Sequence, residues 1–468
     1  MRAQRDHHAS AGQRSRISAW WRGAAVAAAA LSLTAAAGAP ASAAPTAAGY
    51  AVTASILVGS WPDGVAVDPA AGTVYVANYG DTVSVIDAAT RTVAATIPVP
   101  GSPDAIAVDP AAGNIYVANL GGTLSVIDPT TNTVTATIPV GDGPHSMAVD
   151  PAAGTVYMVN DGADTMSVID GATNAVTATI PFPHSPAAVA VDPAAGTVYV
   201  TNGGADTVSV LEAATNTGIA TIPLGYTAAG VAVDPAAGTV YLANNGDNTV
   251  SVIDAATNTA TATIPVGDAP GAMAVDPAAG TVYVTNVADS TVSVIDVATN
   301  TVTATIPVGN EPRAVAVDPT THTAYVADSG DDRLTVISPP QTGPVVSGYR
   351  ATLCVADRGD STVNDTPITI ATCDGSPGQD WTVTGSGTLQ VNGKCLDIYR
   401  DEKTNNSPVE LWTCTGGANQ QWRLSAVGAL VNPVSGRCLD DPRFGVTPGT
   451  QLDIFDCNNG ANQQWGLP

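Results

Sequence analysis

Residues 187–223 read AAVAVDPAAGTVYVTNGGADTVSVLEAATNTGIATIP. Apolar and β-branched runs at Ala187–Asp192, Thr197–Asn202, Thr207–Leu211 and Gly218–Pro223 alternate with breaks rich in Gly, Pro, Asn and Asp. Such runs of five or six residues between turn formers predict four antiparallel strands. The unit recurs along the chain. Its Asp-Pro dipeptide stands at Asp68, Asp109, Asp150, Asp192, Asp234, Asp276 and Asp318, a period of 41 or 42 residues. Four strands in each such period predict the blades of a β-propeller. The last unit stops at its third strand near Ile337, whereas Thr53–Gly59 matches a fourth strand. An N-terminal strand that fills the last blade gives seven blades over residues 52–338 and leaves no open sheet edge.

The tetrapeptides Tyr199-Val200-Thr201-Asn202 and Tyr283-Val284-Thr285-Asn286 stand in this array. On these the array resembles the YVTN family of propeller repeats. That resemblance implies an architecture and little about activity, since the same fold serves surface proteins, binding proteins and relatives of lactonase-type enzymes.

Beyond a Pro- and Gly-containing stretch, read as a linker at 339–345, a second repeat begins. Gln379-Asp380-Trp381, Gln420-Gln421-Trp422 and Gln463-Gln464-Trp465 lie 41 and 43 residues apart. All six cysteines fall here, as Cys354 and Cys373, Cys395 and Cys414, Cys438 and Cys457, each pair 19 positions apart. Six cysteines allow 15 connectivities, and a spacing that recurs with the repeat argues for one bridge in each. Three repeats of this size suggest a threefold trefoil with its tryptophans meeting in the core.

With Lys394-Cys395-Leu396-Asp397 and Arg437-Cys438-Leu439-Asp440 added, residues 346–468 resemble the ricin-B-type lectin family, a β-trefoil carbohydrate-binding module. The expected fold class is therefore all-β, a propeller followed by a trefoil. The resemblance implies that Asp397 accepts hydrogen bonds from sugar hydroxyls, Trp412 stacks on the ring, and Asn419 and Gln420 complete the polar side; Glu410 stands where many relatives have Gln. In the third repeat the matching residues are Asp440, Asp453, Phe455, Asn462 and Gln463. In the first, Ala356, Ala371 and Gly378 replace the aspartate, aromatic and amide, which predicts a dead site although Gln379 remains. The competing reading is that these polar residues only hold the trefoil together, as Trp381, Trp422 and Trp465 are expected to do. Galactosyl or xylosyl polymers are the ligands the resemblance implies.

The propeller offers a second, weaker constellation. Five residues before each Asp-Pro aspartate stand Asp63, Asp104, His145, Ala187, Ala229, Gly271 and Arg313. Since the last blade abuts the first, Arg313, Asp63, Asp104 and His145 are expected side by side around one part of the channel mouth. Two carboxylates, an imidazole and a guanidinium suit acid/base work or a polar ligand. The alternative is a set of solvated strand ends that neutralise one another. The Asp-Pro aspartates read as turn residues, His184 and His322 as surface residues. No spacing calls for a metal or another cofactor.

Charge excludes some partners. Sixteen Lys and Arg against 41 Asp and Glu give −25, which repels nucleic acid and anionic membranes. Arg2, Arg5, Arg14, Arg16 and Arg22 precede the apolar run Ala24–Ala37 and the triplet Ala41-Ser42-Ala43, which reads as a secretory signal peptide over 1–43 for the general secretion route. The expectation is a secreted, extracellular protein, free or at the cell wall, with no membrane span once processed. Its trefoil would bind polysaccharide or another glycan, and its propeller would be a platform for a protein or small ligand. The alternative is a propeller enzyme, such as a lactonase, lyase or glycoside hydrolase, carried to its substrate by the trefoil.

Overall fold

The burial of each repeat follows its position in a blade. The second strand, such as Thr197–Asn202, is buried on both faces, whereas the fourth, such as Thr217–Pro223, is largely exposed. A strand apolar on both faces needs sheets on both sides, and adjacent blades supply them. In the computed structural model, residues 49–224, 228–384, 387–425, 427–442, 444–445 and 447–468 are described. The expected signal segment 1–43 lies outside them.

Seven four-stranded antiparallel sheets form the propeller. The first holds Pro62–Asp68, Thr73–Asn78, Thr82–Asp87 and Thr92–Pro98. The last holds Pro312–Asp318, Thr323–Asp328 and Arg333–Ser338, and its fourth strand is Ala51–Leu57 from the chain's N-terminal side, with Val52 opposite Ile337 and Leu57 opposite Arg333. This is the closure the truncated last repeat predicts. It is reinforced by apolar packing, because Tyr325, Leu334 and Val336 of the last blade share one cluster with Val65, Val74 and Ile86 of the first.

Two repeated polar devices hold each blade. Asp192 Oδ1 accepts the backbone N–H groups of Ala194 and Ala195, both at 3.0 Å, so the Asp-Pro aspartate closes its own turn. Asn202 Nδ2 donates to Thr207 Oγ1 and Ser209 Oγ, both at 3.0 Å, pinning the next hairpin. Only in the last blade is this asparagine an aspartate. Asp328 is fully buried there, accepts a hydrogen bond from Thr335, and is pushed up to about 7, chiefly by burial.

His322 is at the surface as expected, its side chain 37% exposed, and it also has a structural contact. It occupies the left-handed turn position (φ 56°) where earlier blades have glycine, and its Nδ1 lies 2.7 Å from Oδ2 of the buried Asp276 in the preceding blade. It joins two blades. His184 is exposed, as expected.

The C-terminal sheet curls through three repeats and closes on itself where Val346 and Ser347 pair with Gly466 and Trp465. Disulfides join Cys354 to Cys373, Cys395 to Cys414 and Cys438 to Cys457, one per repeat. Trp381, Trp422 and Trp465 are buried, and their indole N–H groups donate to the carbonyls of Val355, Leu396 and Leu439 at 2.8, 3.1 and 3.0 Å. Satisfying the one polar atom of a core tryptophan in the same way three times fixes the threefold arrangement. Gln341–Gly343, inside the stretch read as a linker, pairs with Trp381–Val383, and Val345 is buried in the same core.

Candidate functional site

The second trefoil repeat is built on two paired strands, Lys394–Ile398 and Ser407–Trp412, which place Asp397 directly opposite Glu410. Trp412 lies two residues beyond Glu410, hence on the same face of its strand. Asp397 is 3% exposed and is fixed from both sides: Asn419 Nδ2 donates to Oδ1 at 2.7 Å and Gln420 Nε2 to Oδ2 at 2.6 Å. Burial raises its carboxyl above the ordinary range, and the two amides act against that rise. Trp412 remains 37% exposed, leaving indole surface for a ligand.

Asp397, Glu410, Trp412 and Asn419 line a concavity of about 390 Å³, whereas Gln420, expected to complete its polar side, is fully buried behind Asp397. The wall of the concavity also includes Asp365, Tyr399, Arg400 and Asp401, none of which the repeat comparison singled out. Arg400 and Asp401 adopt left-handed backbone conformations (φ 52° and 55°), and the Arg400 guanidinium sits 4.7 Å from the centre of the Tyr399 ring. Two consecutive non-glycine residues in that region turn the segment back sharply beside Asp397. No repeat spacing marks them, because the third repeat carries a different loop here.

Glu410 is 6% exposed, and its carboxylate accepts no hydrogen bond from any described residue. It is pushed up to about 7, first by burial, then by the negative charges of Asp365 and Asp397, with Arg400 opposing.

The third repeat reproduces the core of this arrangement. Asn462 Nδ2 and Gln463 Nε2 donate to Asp440 Oδ1 at 2.9 and 2.8 Å, and Asp440 faces Asp453 across the paired strands. Asp453 Oδ1 is buried without a partner among the described residues, and the carboxyl is pushed up to about 7 by burial and by Asp440 and Asp441. Phe455 is half-buried. Next in sequence to Asp440, Asp441 accepts a hydrogen bond from Tyr349, whose ring packs edge-on against Phe444 at 5.5 Å.

The first repeat shows what the fold alone requires. Gln379 Nε2 donates to Thr372 O at 2.7 Å and its Oε1 accepts the Asp374 N–H at 3.0 Å, as Gln420 and Gln463 do in their own repeats. The glutamine is thus a clamp whether or not an aspartate is present. Where the other repeats have asparagine, a Cβ on Gly378 would lie 2.0 Å from Asp357 Oδ1, so a neighbouring carboxylate fills the space.

Residues 341–465 match the ricin-type beta-trefoil lectin domain. The propeller stands outside that match. A solved structure, the Kuenenia stuttgartiensis hydrazine synthase, is similar over 59% of this chain and 95% of its own, with a TM-score of 0.55 and 20% identity. At that identity the likeness shows fold alone. No curated protein matches the chain.

The propeller residues also come together. In each inner strand the register slips at its second residue, so Asp63, Asp104, His145 and Arg313 all sit at β-bulges, between Pro62 and Gly64, Pro103 and Ala105, Pro144 and Ser146, Pro312 and Ala314. A bulge bends the strand and re-aims the side chain, which period-two alternation does not foresee. His145 Nδ1 lies 2.6 Å from Asp104 Oδ2, and the imidazole is held up to about 9, chiefly by the Asp104 charge. Asp63 accepts from Ser329 Oγ at 2.9 Å and is pushed up to about 7 by burial and by Asp104. Arg313 donates to Glu311 at 2.9 Å and its charge also reaches Asp63. Ser329 and Glu311 carried no sequence signal: closure of the ring brings Ser329 to Asp63, and Glu311 stands in the loop two residues before Arg313.

Proposed function

We propose that this is a secreted polysaccharide-binding protein in which the lectin domain grips the polymer and the propeller is a rigid platform for a second ligand. The observation that carries this reading is Asp397, fixed by Asn419 and Gln420 at 2.7 and 2.6 Å beside the half-open face of Trp412. A sugar needs such an arrangement. A carboxylate held in one orientation accepts from vicinal hydroxyls, the free valences of the half-exposed Asn419 amide bracket them, and an indole face covers the apolar side of the ring. Asp440 with Phe455 gives a second, smaller version, and two modest sites on one module gain avidity on a repeating polymer. The lectin resemblance favours galactosyl or xylosyl polymers. Three disulfides suit an oxidising, extracellular setting.

The test is retention of the full chain on immobilised plant, bacterial and fungal polysaccharides, with released products assayed in parallel. Retention that is lost in Asp397→Ala with Asp440→Ala supports the reading. A parent chain that binds none of them refutes it.

A second reading, a propeller enzyme delivered by the lectin domain, is favoured by the contact of His145 with Asp104 next to Asp63. Product release abolished by His145→Ala would move the activity to the propeller.

A further inference from the structure

The acidic residue opposite each site aspartate, Glu410 or Asp453, is left short of donors from the fold. Glu410 is 94% removed from solvent, lines the open concavity and has no hydrogen-bond donor among the described residues, while Asp453 Oδ1, one repeat later, is buried without a partner among them. A carboxylate oxygen buried without a donor, as in Asp453, is costly, and a donor-free acid at the same register in both repeats with intact site residues points to a partner that arrives from outside. In the repeat without the site aspartate the equivalent residue, Thr369, is neutral.

The charge in the second-repeat concavity agrees. Asp365, Asp397, Asp401 and Glu410 face one guanidinium, that of Arg400. A neutral hexose placed here would donate hydroxyls to Asp397 and leave this excess unbalanced. Glu410 shares a strand face with Trp412, so a ring stacked on the indole turns its edge substituents toward the Glu410 carboxylate.

We infer, resting on the saccharide-binding reading above, that the ligand is a hexosamine residue with a free, protonated amine, its ammonium seated against Glu410 in one repeat and Asp453 in the other. An ammonium supplies three donors and a positive charge, which satisfies the idle carboxylate and offsets its carboxylate neighbours. An N-acetylated amine offers one neutral donor and a bulky acyl group. The net charge of −25 attracts such a polycation at long range.

Calorimetry on the full chain with glucosamine and galactosamine oligomers, their fully N-acetylated counterparts, and galactose and xylose oligomers of matched length tests this. Free-amine oligomers are expected to bind at least about tenfold more tightly than either other set. Glu410→Gln with Asp453→Asn should bring that ratio close to one while the near-ultraviolet circular dichroism of the buried tryptophans is kept. Neutral or N-acetylated oligomers binding as well as the free amines overturns the inference and leaves the saccharide reading standing. A ratio unchanged in the double variant also overturns it, since the amine would then be read elsewhere. Binding of no saccharide at all removes both.

Discussion

Asp397→Ala separates the two roles assigned to the site residues. The substitution removes two amide-to-carboxylate hydrogen bonds at 2.7 and 2.6 Å from a residue only 3% exposed. Gln420 keeps its bonds to Thr413 O at 3.0 Å and from Thr415 N at 2.8 Å, so its clamp survives. Asn419 loses its Asp397 acceptor and stays half-exposed, where water replaces it. The stability loss should therefore be modest, about 1–2 kcal/mol, with the lectin domain's melting temperature falling by roughly 3–8 °C. Binding should suffer more. Losing a charged acceptor for sugar hydroxyls weakens one site by about 1.5–3 kcal/mol, roughly 10- to 150-fold. Gln379→Ala is the control. It cuts the same clamp, at 2.7 and 3.0 Å, in the repeat without an aspartate, and should lower the melting temperature without changing saccharide affinity. Thermal unfolding and calorimetry on both variants provide the comparison. If Asp397→Ala binds as the parent does, or Gln379→Ala weakens binding as much, these residues serve the fold and not a ligand.

Stability should fall between about pH 5 and about pH 8. Asp63, Asp328, Glu410 and Asp453 are raised to about 7, so the folded chain holds protons that the unfolded chain releases from about pH 4, and their contribution is lost as pH rises through about 7. His145, raised to about 9, acts in the same direction, and the lowered carboxyls of the exposed turn residues Asp87, Asp128, Asp170 and Asp254 lose their effect only below the ordinary carboxylate range. A melting temperature that rises across this interval would contradict the assignment. Asp328→Asn, which restores the asparagine of the other six blades, should raise the melting temperature above neutral pH by roughly 2–4 °C and flatten part of this slope. Differential scanning calorimetry of that variant at two pH values decides it. Reducing the three bridges should destabilise the lectin domain, each 19-residue loop contributing about 3 kcal/mol, while the cysteine-free propeller melts as before. Simultaneous loss of both transitions on reduction would refute that independence.

The two repeat periods determined the blade count, the strand that closes the ring, one bridge per repeat, and the residues that recur around Asp397 and Asp440. These are properties of local pattern, carried by strand alternation, turn residues and register, and a sequence displays them directly. Asp397 with Asn419 and Gln420 was legible through the lectin resemblance, and the third repeat carries the same three residue types at matching offsets. What only the tertiary structure decided are meetings between segments that no repeat relates. Closure of the ring sets Ser329 against Asp63, and a turn histidine, His322, reaches Asp276 in the preceding blade. The bulges that carry Asp63, Asp104 and His145 shift register by one residue, a displacement that apolar alternation does not encode. Asp365, Tyr399 and Arg400 join the second-repeat concavity through a loop particular to that repeat. That Glu410 faces the concavity with no donor among the described residues depended on which neighbours failed to reach it, and only packing in three dimensions determines that.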